Sequence, residues 1–524
     1  MLATLFSAAL AGLDGRVIRV EVDVANGLPG LTIVGLPDAA LSEARERVRS
    51  AIRNSGFDYP IRRITVNLAP AEVRKAGASF DLAIALGVLI GDGEIAPTPG
   101  SWAVLGELSL GGAVRPVPGI LPMVATLTRM GHRRIAVPAA NVPEALLVPG
   151  AEPVAVETLT DAVRLVAPRS RKAHAHLIGT DANGPDVPVD GQHPATRALM
   201  PGTDSADLGD VRGQGFARWA LEVALAGGHN LLLIGPPGAG KTLLARTVPG
   251  LLPPLSDDEA LEVTIVASVA GLLDPGEGLR RARPFRAPHH TLSYAAMVGG
   301  GPSVAPGEVT LAHRGVLFLD ELAEFDRDVL DSLRQPLEDG TVGISRVGRS
   351  IRFPARFQLI AATNPCRCGF RDDPVQQCRC KPNEAERYLR RVSGPLLDRL
   401  DCSVSMPRVP AAELLAAPEP EASSAVAARI ARAWELARER NGGLPNAQLT
   451  GRRIRSLAAL DGPAARLLER MADEGRFSAR ATHRALRVAR TVADLRGDVR
   501  VTVDDVTAAF ALRQEDPTSR QLAA

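Results

Sequence analysis

The chain has 524 residues, 45% of them hydrophobic and 23% charged, which is typical of a globular protein and excludes a mostly disordered or fibrous one. The 61 basic and 59 acidic residues nearly cancel, so composition predicts no global attraction to nucleic acid. A balanced total does not exclude a local basic channel. The longest apolar run, around residues 82–90, is too short to cross a bilayer, and the apolar N-terminus lacks the basic start of a signal peptide. We expect a cytoplasmic protein of about three folding units with no membrane association.

Four segments follow one another along the chain. Over residues 1–166, short β-branched runs such as VIRVEVDV, RITVNLAP and RRIAVP alternate with helical stretches such as ALSEARERVRSAIRNSG, which predicts an α/β domain. Residues 167–205 are rich in Pro, Gly, Asp and His and lack periodicity, which predicts a linker. A second α/β unit is expected over residues 206–410, and an arginine-rich helical domain over residues 411–524.

The strongest motif is a glycine-rich loop between the apolar strand NLLLI and the helical stretch LLARTVPGLL. It consists of Gly235, Pro236, Pro237, Gly238, Ala239, Gly240, Lys241 and Thr242. Glycines let backbone N–H groups turn inward around phosphate oxygens, and the helix N-terminus adds partial positive charge. Lys241, one of only four lysines in the chain, is expected on the β- and γ-phosphates of ATP, and Thr242 is expected to bind Mg²⁺.

Two further strands end in polar residues that suit the same site. The apolar run VLFL is followed by Asp320, expected to hold Mg²⁺ through water, and by Glu321, expected to polarise the attacking water. A strand that ends in a solvated helix start is the alternative, since Glu321 also opens a helical stretch. The strand FQLIAATN ends in Asn364, which is predicted to contact the γ-phosphate or the lytic water; the alternative is a turn-forming Asn before Pro365.

These motifs, in this order and spacing, resemble AAA+ ATPases. The phrases PFRAPHHTLSYAAMVGGG, PGEVTLAHRGVLFLDELAEF, NPCRCG and SGPLLDRLD are similar to the magnesium-chelatase-like subgroup, and within it to the YifB/ComM family. The resemblance runs from about residue 13 to about residue 513, with only the linker poorly matched. It implies an α/β fold with a parallel sheet in the ATPase core, a C-terminal helical lid, and a ring, usually of six copies.

The resemblance also assigns arginines to the site. Arg399 in SGPLLDRLD matches the arginine finger that reaches into the ATP of a neighbouring subunit. A surface arginine paired with an adjacent aspartate is the alternative for Arg399. Arg480 matches the sensor-2 arginine of the helical lid, with Arg484 and Arg487 on nearby faces as other choices.

The N-terminal domain resembles the Lon-protease-like domain of the ribosomal S5 second-domain type. The matching phrases are GLPDAALSEARERVRSAI, ASFDLAIALGVL and GELSLGGAVRPVPGILP. Ser79 falls where Lon-type proteases carry their nucleophile, but the place of the partner lysine reads PGILP, over residues 118–122. Without a lysine to assist deprotonation of that serine, we expect no peptidase activity. The domain is expected to be an oligomerisation or DNA-binding collar without a catalytic dyad.

Four cysteines form a compact pattern after the third strand. Cys366 and Cys368 are separated by nine residues from Cys378 and Cys380, and four thiolates in such a short loop suit tetrahedral Zn²⁺. Free thiols, a redox disulfide or a cluster other than zinc are the alternatives. The fifth cysteine, Cys402, lies in a strand-like run and is expected in the core.

A candidate DNA contact lies between the second and third site strands. Apolar residues alternate on both sides of residues 347–348, which predicts a β-hairpin with Arg346 and Arg349 near its tip. In a ring such a tip can face the central pore and grip a phosphate backbone without reading sequence; a solvated surface hairpin is the alternative. His289 and His290 lie in another inserted segment and are expected to shape a loop, with metal or substrate contact as alternatives.

Together these features predict an ATP-dependent hexameric DNA motor. The resemblance implies helicase or branch-migration activity on single-stranded or branched DNA, in recombination of incoming DNA as in natural transformation. One alternative is a magnesium-chelatase-type motor subunit, against which the Lon-like domain and the cysteine cluster argue. Another is a protein-remodelling AAA+ ATPase, which the motor core alone does not exclude.

Overall fold

The computed structural model describes most of the chain. The described ranges are residues 2–35, 39–70, 78–97, 102–168, 206–274, 276–301, 304–346, 349–371, 373–410, 420–473 and 479–513. Most of the predicted linker, residues 169–205, lies outside them. Within these ranges no helix combines the length and the apolar character needed to cross a bilayer.

Residues 2–168 fold around a mixed β-sheet. The strands are β1 Leu2–Ala11, β2 Asp14–Ala25, β3 Gly30–Val34, β4 Arg63–Ala69, β5 Ala103–Val104, β6 Glu107–Leu108, β7 Val114–Arg115, β8 Arg134–Pro138 and β9 Glu152–Val156. The helices are α1 Ala39–Asn54, α2 Asp81–Asp92, α3 Ile120–Arg129, α4 Val142–Ala145 and α5 Leu159–Val166. Seven of these strands form one sheet in the order β3-β4-β2-β1-β5-β8-β9, and β6 pairs with β7. The three strands and the amphipathic helix predicted for this segment are confirmed.

The long apolar run of the sequence is the central helix of this domain. Helix α2 is buried from Asp81 through Gly91, because the sheet and other helices surround it. Asp81 pairs with Arg47 at 2.7 Å. Burial raises the pKa of Asp81 to about 6, against the opposing effect of Arg47. Ser79 is buried just before this helix.

The second unit is built on a fully parallel sheet. Its strands are β10 Leu231–Ile234, β11 Phe285–Arg286, β14 Val316–Leu319, β17 Gln358–Thr363 and β18 Cys402–Ser405. Two separate hairpins consist of β12 Gly299–Gly300 with β13 Ala305–Pro306, and of β15 Thr341–Arg346 with β16 Arg349–Pro354. The helices are α6 Gly215–Gly227, α7 Lys241–Arg246, α8 Val248–Leu251, α9 Asp257–Val269, α10 Tyr294–Val298, α11 Glu308–Leu311, α12 Arg327–Ser332, α13 Arg334–Asp339, α14 Pro382–Leu389 and α15 Gly394–Leu397. The sheet order is β11-β14-β17-β10-β18.

Burial on both faces explains the apolar character of these strands. Every residue of β14 and of β17 is buried, as expected for a parallel sheet covered on both sides. Cys402 is buried in β18, which confirms its predicted place in the core. The stretch LLARTVPGLL is not one helix, as the sequence predicted, but two, because Pro249 has no N–H with which to continue the hydrogen-bond ladder from α7 into α8.

A helical unit covers one face of this sheet. Its helices are α16 Ser423–Asn441, α17 Gly451–Leu457, α18 Gly462–Asp473, α19 Ala479–Arg496 and α20 Val503–Ala511. Helices α16 and α19 pack against α6 and share one apolar core with alternate residues of β10 and β18. A buried polar network adds to this packing, since Arg440 and Arg490 both donate to Asp494. The predicted helical character of this segment is confirmed for the described residues.

The N-terminal domain contacts the second unit at two places. The backbone N–H of Gly119 donates to Ser268 O of α9 at 2.9 Å, and the Ser268 hydroxyl donates to the buried carboxylate of Glu144. Leu13, in the β1–β2 turn, packs into the apolar cluster that includes Ile351 of the β15–β16 hairpin. The collar predicted from sequence is therefore in contact with the hairpin that carries the candidate DNA-binding arginines.

Candidate nucleotide site

Three strands deliver their polar ends to one edge of the parallel sheet. The glycine-rich loop follows β10, Asp320 and Glu321 follow β14, and Asn364 follows β17. Because β17 lies between β14 and β10 and all three run in parallel, Asn364 lies between the loop and the acidic pair. The sheet therefore brings together residues that are more than a hundred positions apart in sequence, at the carboxyl edge where open α/β sheets bind ligands.

The glycine-rich loop has the backbone of a phosphate cradle. Gly238 and Gly240 adopt left-handed conformations, with φ of +79° and +92°, which favour glycine. The N–H of Gly235 donates to Thr363 O at 3.2 Å, which fixes the start of the loop to the end of β17. Gly240 immediately precedes α7, so the loop ends at a helix N-terminus. This arrangement can present backbone N–H groups to an anion.

Lys241 is held inside the loop by three acceptors. Its Nζ donates to Gly235 O at 2.6 Å, to Pro236 O at 3.0 Å and to Asn364 Oδ1 at 3.1 Å. The side chain is 8% exposed. Burial lowers the pKa of Lys241 to about 8, and the nearby carboxylates of Asp320 and Glu321 oppose that effect. The ammonium group of Lys241 and the side chain of Asn364 are thus in direct contact.

Thr242 and Asp320 present adjacent oxygens. The Thr242 hydroxyl donates to Asp320 Oδ2 at 2.6 Å, while Asp320 Oδ1 accepts from the N–H of Glu321 at 2.9 Å. A hydroxyl and a carboxylate at this separation are hard oxygen donors of the kind that Mg²⁺ prefers beside a nucleotide phosphate. The donor set therefore fits the magnesium ion predicted from the sequence.

Glu321 has a partner that the sequence analysis did not identify. Its Oε2 lies 3.1 Å from Nδ1 of His290, whose ring contacts His289 and approaches Phe325 edge-on. Glu321 does not continue into a helix but adopts a left-handed backbone, with φ of +53°, before a short 3₁₀ turn. In the sequence, the adjacent histidine pair was the signal for this contact. The contact itself forms because β11, the strand before the pair, lies beside β14.

The inserted segment that carries His290 is anchored by a buried ion pair. Arg286, at the end of β11, donates from Nε and Nη2 to the two carboxylate oxygens of Glu308, both at 2.6 Å. Both side chains are buried, so the pair fixes the start of the insert against α11. Because β11 is the neighbour of β14, the insert begins beside the strand that carries Glu321.

Arg399 lies at the opposite edge of the sheet from the phosphate loop of its own chain. Its carbonyl accepts from Asn230 Nδ2 at 2.9 Å, and Asn230 immediately precedes β10, whereas Lys241 follows that strand. The guanidinium donates to Pro395 O and to Glu338 Oε2, both at 2.6 Å. The intrachain partner is thus Glu338 and not one of the adjacent aspartates considered from the sequence.

The α19 arginines considered from the sequence for the sensor-2 role differ in their surroundings. Arg480, the residue predicted from sequence, is exposed on the first turn of α19. Arg484 is half-buried, and burial lowers its pKa although Asp401 and Asp398 oppose the effect. Since Asp401 directly precedes β18, Arg484 lies near the amino edge of the sheet and not beside its own Lys241. No contact joins any of the described lid arginines to the phosphate loop of the same chain.

The four cysteines come together as predicted. The Sγ–Sγ distances are 3.4 Å for Cys366–Cys368, 3.7 Å for Cys366–Cys378 and 3.5 Å for Cys368–Cys378, and all four sulfurs lie within 4.8 Å of one another. None of the four is disulfide-bonded. Burial raises the pKa of the Cys368 thiol, but hydrogen bonds from backbone N–H groups and neighbouring thiols outweigh it and lower the value to about 6.

The predicted β-hairpin is confirmed in its register. Strand β15 pairs antiparallel with β16, with Val342 opposite Phe353 and Ile344 opposite Ile351. Residues 346 and 349 form the last pair before the tip, so both backbones lie at that end. The tip residues 347–348 and the side chains of Arg346 and Arg349 lie outside the described part of the chain.

Comparisons with known proteins agree with this architecture. Models of magnesium chelatase subunit ChlI match residues 20–141 and 207–414, and a model of its C-terminal part matches residues 420–513. Competence protein ComM of Haemophilus influenzae is 40% identical over 516 residues, which cover 98% of this chain and 97% of that protein. The protein YifB of Escherichia coli, described as uncharacterized, is 42% identical over 496 residues, 94% and 93% of the two chains.

A true chelatase subunit is more distant. The magnesium-chelatase 67 kDa subunit of Heliobacterium mobile is 28% identical over 195 residues, which cover 31% of this chain and 29% of that subunit. The identity to ComM and YifB extends over nearly the full length of all three proteins. The chain therefore belongs to the YifB/ComM family of magnesium-chelatase-like AAA+ ATPases.

Proposed function

We propose that this protein is a ring-forming ATPase that uses ATP hydrolysis to move DNA strands, as a helicase or branch-migration motor in recombination. The observation that carries the proposal is the convergence of Lys241, Asn364, Thr242 and Asp320 at one sheet edge. These residues can bind a triphosphate and its metal, and Glu321 follows directly on Asp320. The full-length similarity to a protein named for competence supports a role with incoming DNA.

The nucleotide chemistry follows from the site residues. The loop N–H groups and Lys241 would bind the β- and γ-phosphates, replacing the carbonyl acceptors that now hold Nζ. Thr242 and Asp320 would hold Mg²⁺, which neutralises charge on the phosphates when bound. Asn364 would orient the γ-phosphate or the lytic water. Glu321 would accept a proton from that water once it is released from His290.

We propose that each ATP site is completed by the next subunit. Arg399 lies at the edge of the sheet opposite its own phosphate loop, so it is available to a neighbour's nucleotide once Glu338 is released. Arg480 is exposed and can act across the same interface, with Arg484 beside it. In a closed ring, every arginine finger would lie at the nucleotide site of a neighbouring subunit. The family implies that such a ring contains six copies. We also propose a cytoplasmic location for this assembly.

The cysteine cluster is proposed to hold zinc. Four sulfurs at about 2.3 Å from a tetrahedral ion lie about 3.8 Å apart, close to the three observed separations of 3.4, 3.5 and 3.7 Å. In an iron–sulfur cluster the four thiolates are divided among two or four irons, and sulfurs bound to different irons lie further apart than sulfurs around a single ion. Zinc would cross-link the cysteine loop. It would take no part in hydrolysis, because the cluster lies outside the group of residues that would contact the phosphates.

The DNA contact is proposed for the tip of the β15–β16 hairpin. Arg346 and Arg349 pair at the end of this hairpin, and Ile351, in its middle, packs in the same apolar cluster as Leu13 of the N-terminal domain. We propose four segments: a Lon-like domain without a catalytic dyad over 1–166, a linker over 167–205, an ATPase core over 206–410 and a helical lid over 411–524. In this proposal the N-terminal domain forms a collar that supports the hairpin.

One set of assays tests the motor. ATPase activity is measured without addition, with single-stranded DNA, with a four-way junction, and with porphyrin plus Mg²⁺. We expect DNA to stimulate hydrolysis, and the wild type but neither Lys241→Ala nor Glu321→Gln to displace a strand. The absence of both DNA binding and DNA stimulation at low salt would overturn the proposal, and stimulation by porphyrin would favour a chelatase subunit.

The hairpin has its own test. The double variant Arg346→Ala, Arg349→Ala is expected to weaken binding of all DNA sequences alike and to reduce the dependence of log K on log salt by about 1.4–1.8 per subunit, since each phosphate contact contributes about 0.7–0.9. The control is Arg327→Ala, Arg390→Ala, which removes the same charge from two exposed helix positions. Equal effects of both double variants would show a charge effect and not a hairpin contact.

A further inference from the structure

The cysteine cluster touches the phosphate loop. Gly369, which directly follows Cys368, packs against Pro237 in the middle of that loop. A Cβ added at Gly369 would lie 2.5 Å from Pro237 Cδ and 2.7 Å from Cγ, closer than any real contact. Gly369 also has φ of +85°, a conformation that favours glycine. The prolyl ring therefore occupies the space that a side chain at position 369 would need.

The same short turn also sets the position of two sulfurs. The N–H of Gly369 donates to Cys366 O at 3.0 Å, which closes a four-residue turn over 366–369. Within this turn Cys366 and Cys368 present their sulfurs 3.4 Å apart, and Cys378 lies 3.5 Å from Cys368. The N–H of Cys368 donates to the sulfur of Cys380. An ion bound by all four sulfurs would thus fix the turn that contacts Pro237.

The segment before the turn contacts the loop as well. Thr363 O accepts from the N–H of Gly235, and Asn364 Oδ1 accepts from Lys241 Nζ. Together with Gly369 on Pro237, the segment 363–369 contacts the beginning, the middle and the lysine of the phosphate loop. At the far side of the cysteine loop, Arg408 Nε lies 3.5 Å from Asp373 Oδ2, which ties the loop to the segment that follows β18.

We propose that the metal-bound cysteine cluster positions the phosphate loop for ATP, with Gly369 and Pro237 as the contact that transmits the effect. This inference rests on the proposed ATP and zinc sites. Pro237 belongs to the loop backbone, and its ring cannot rotate away from a neighbour as a flexible side chain can. A rigid turn at residues 366–369 therefore limits the conformations of the phosphate loop before ATP arrives. Pre-organisation of this kind raises affinity because less ordering remains to be paid on binding.

The first test separates the contact from the metal. In the full-length Gly369→Ala variant, we expect one zinc per chain by elemental analysis and an affinity for a fluorescent ATP analogue at least tenfold weaker than wild type. Adding Pro237→Ala to that variant removes the ring that the new Cβ meets, so affinity should recover by several-fold. Val375→Ala, at an exposed position of the same loop, is the control and should bind as wild type does.

The second test removes the metal and keeps the contact residues. Cys378→Ser with Cys380→Ser should lose zinc and bind the analogue as weakly as Gly369→Ala does. Removal of zinc from the wild type by a chelator, with Mg²⁺ restored afterwards, should lower the affinity for the ATP analogue in the same way. Added Zn²⁺ should restore that affinity. These wild-type measurements remain decisive if a variant fails to fold.

The outcomes discriminate between the proposals. Wild-type affinity in the metal-free protein, wild-type affinity in Gly369→Ala, or no recovery in the double variant would each overturn the inference. A wild type that binds the analogue but contains no zinc would also overturn it, while the ATPase proposal would stand. A wild type that binds no ATP analogue at all would overturn both. The analogue assay contains no DNA, so its results do not depend on the motor proposal.

Discussion

Binding of ATP should be coupled to proton uptake by Lys241, to an extent that depends on pH. Burial in the free protein lowers the pKa of this lysine from its ordinary value of 10.5 to about 8. Phosphate oxygens around Nζ favour the charged form and raise its pKa in the complex, where the lysine stays protonated. Between these two values the free protein carries fewer protons at Lys241 than the complex does. ATP affinity must therefore fall as pH rises through about 8.

The magnitude follows from the free-state pKa alone. With a pKa of about 8, the lysine of the free protein is about 10% deprotonated at pH 7 and about 90% deprotonated at pH 9. Binding should therefore take up about 0.1 proton at pH 7 and about 0.9 proton at pH 9. Over the same range the association constant should fall about tenfold, equivalent to about 1.4 kcal/mol.

Titration calorimetry measures both quantities. Binding of a non-hydrolysable ATP analogue with Mg²⁺ is recorded at each pH in two buffers of different ionisation enthalpy, and the difference gives the proton uptake. Lys381→Met changes an exposed lysine and should keep the wild-type coupling. An association constant that is unchanged between pH 7 and pH 9, with no proton uptake at pH 9, would refute a buried, partly neutral Lys241 in the free site.

Other predictions address hydrolysis, the ring and the core. Glu321→Gln should keep ATP affinity within about twofold and lower the steady-state ATPase rate by at least about 100-fold; hydrolysis at the wild-type rate would remove Glu321 from water activation. His290→Ala should alter kcat and leave the KM for ATP within about twofold, because it removes the partner of Glu321 and no phosphate contact; a change in KM alone would contradict this role. Arg399→Ala should lower kcat by about 10³-fold, and mixing it with Lys241→Ala subunits should restore activity, since one subunit supplies the nucleotide site and the other the finger; no recovery in mixed rings would exclude action between subunits. Phe353→Ala should lower the free energy of unfolding by about 3–5 kcal/mol in denaturant titrations, because the ring is fully buried under the hairpin; a loss below 1 kcal/mol would indicate a loosely packed core there.

The pairing of His290 with Glu321 joins the inserted segment to the end of β14. The histidine lies in the segment that follows β11, and the same segment continues into the β12–β13 hairpin. The buried Arg286–Glu308 pair anchors the start of this segment. The carboxylate of Glu321 is therefore in contact with a residue of the insert.

Some features of this protein were determined by short stretches of sequence. The phosphate loop, the VLFL strand with its two acids and the β15–β16 hairpin with its tip at residues 347–348 all followed from local pattern. The reason is that glycine conformation, apolar periodicity and the end of a strand are properties of neighbouring residues. The convergence of the four cysteines was also predictable, because only nine residues separate the two pairs.

Tertiary structure alone decided the contacts between distant segments. The sequence gives no rule by which His290 meets Glu321, Gly369 meets Pro237, or Arg399 pairs with Glu338. Each of these contacts depends on the order β11-β14-β17-β10-β18, which places segments side by side that are far apart along the chain. Strand order is set by how all the helices and strands bury their apolar faces together, and such packing is a property of the whole domain and not of any window of residues.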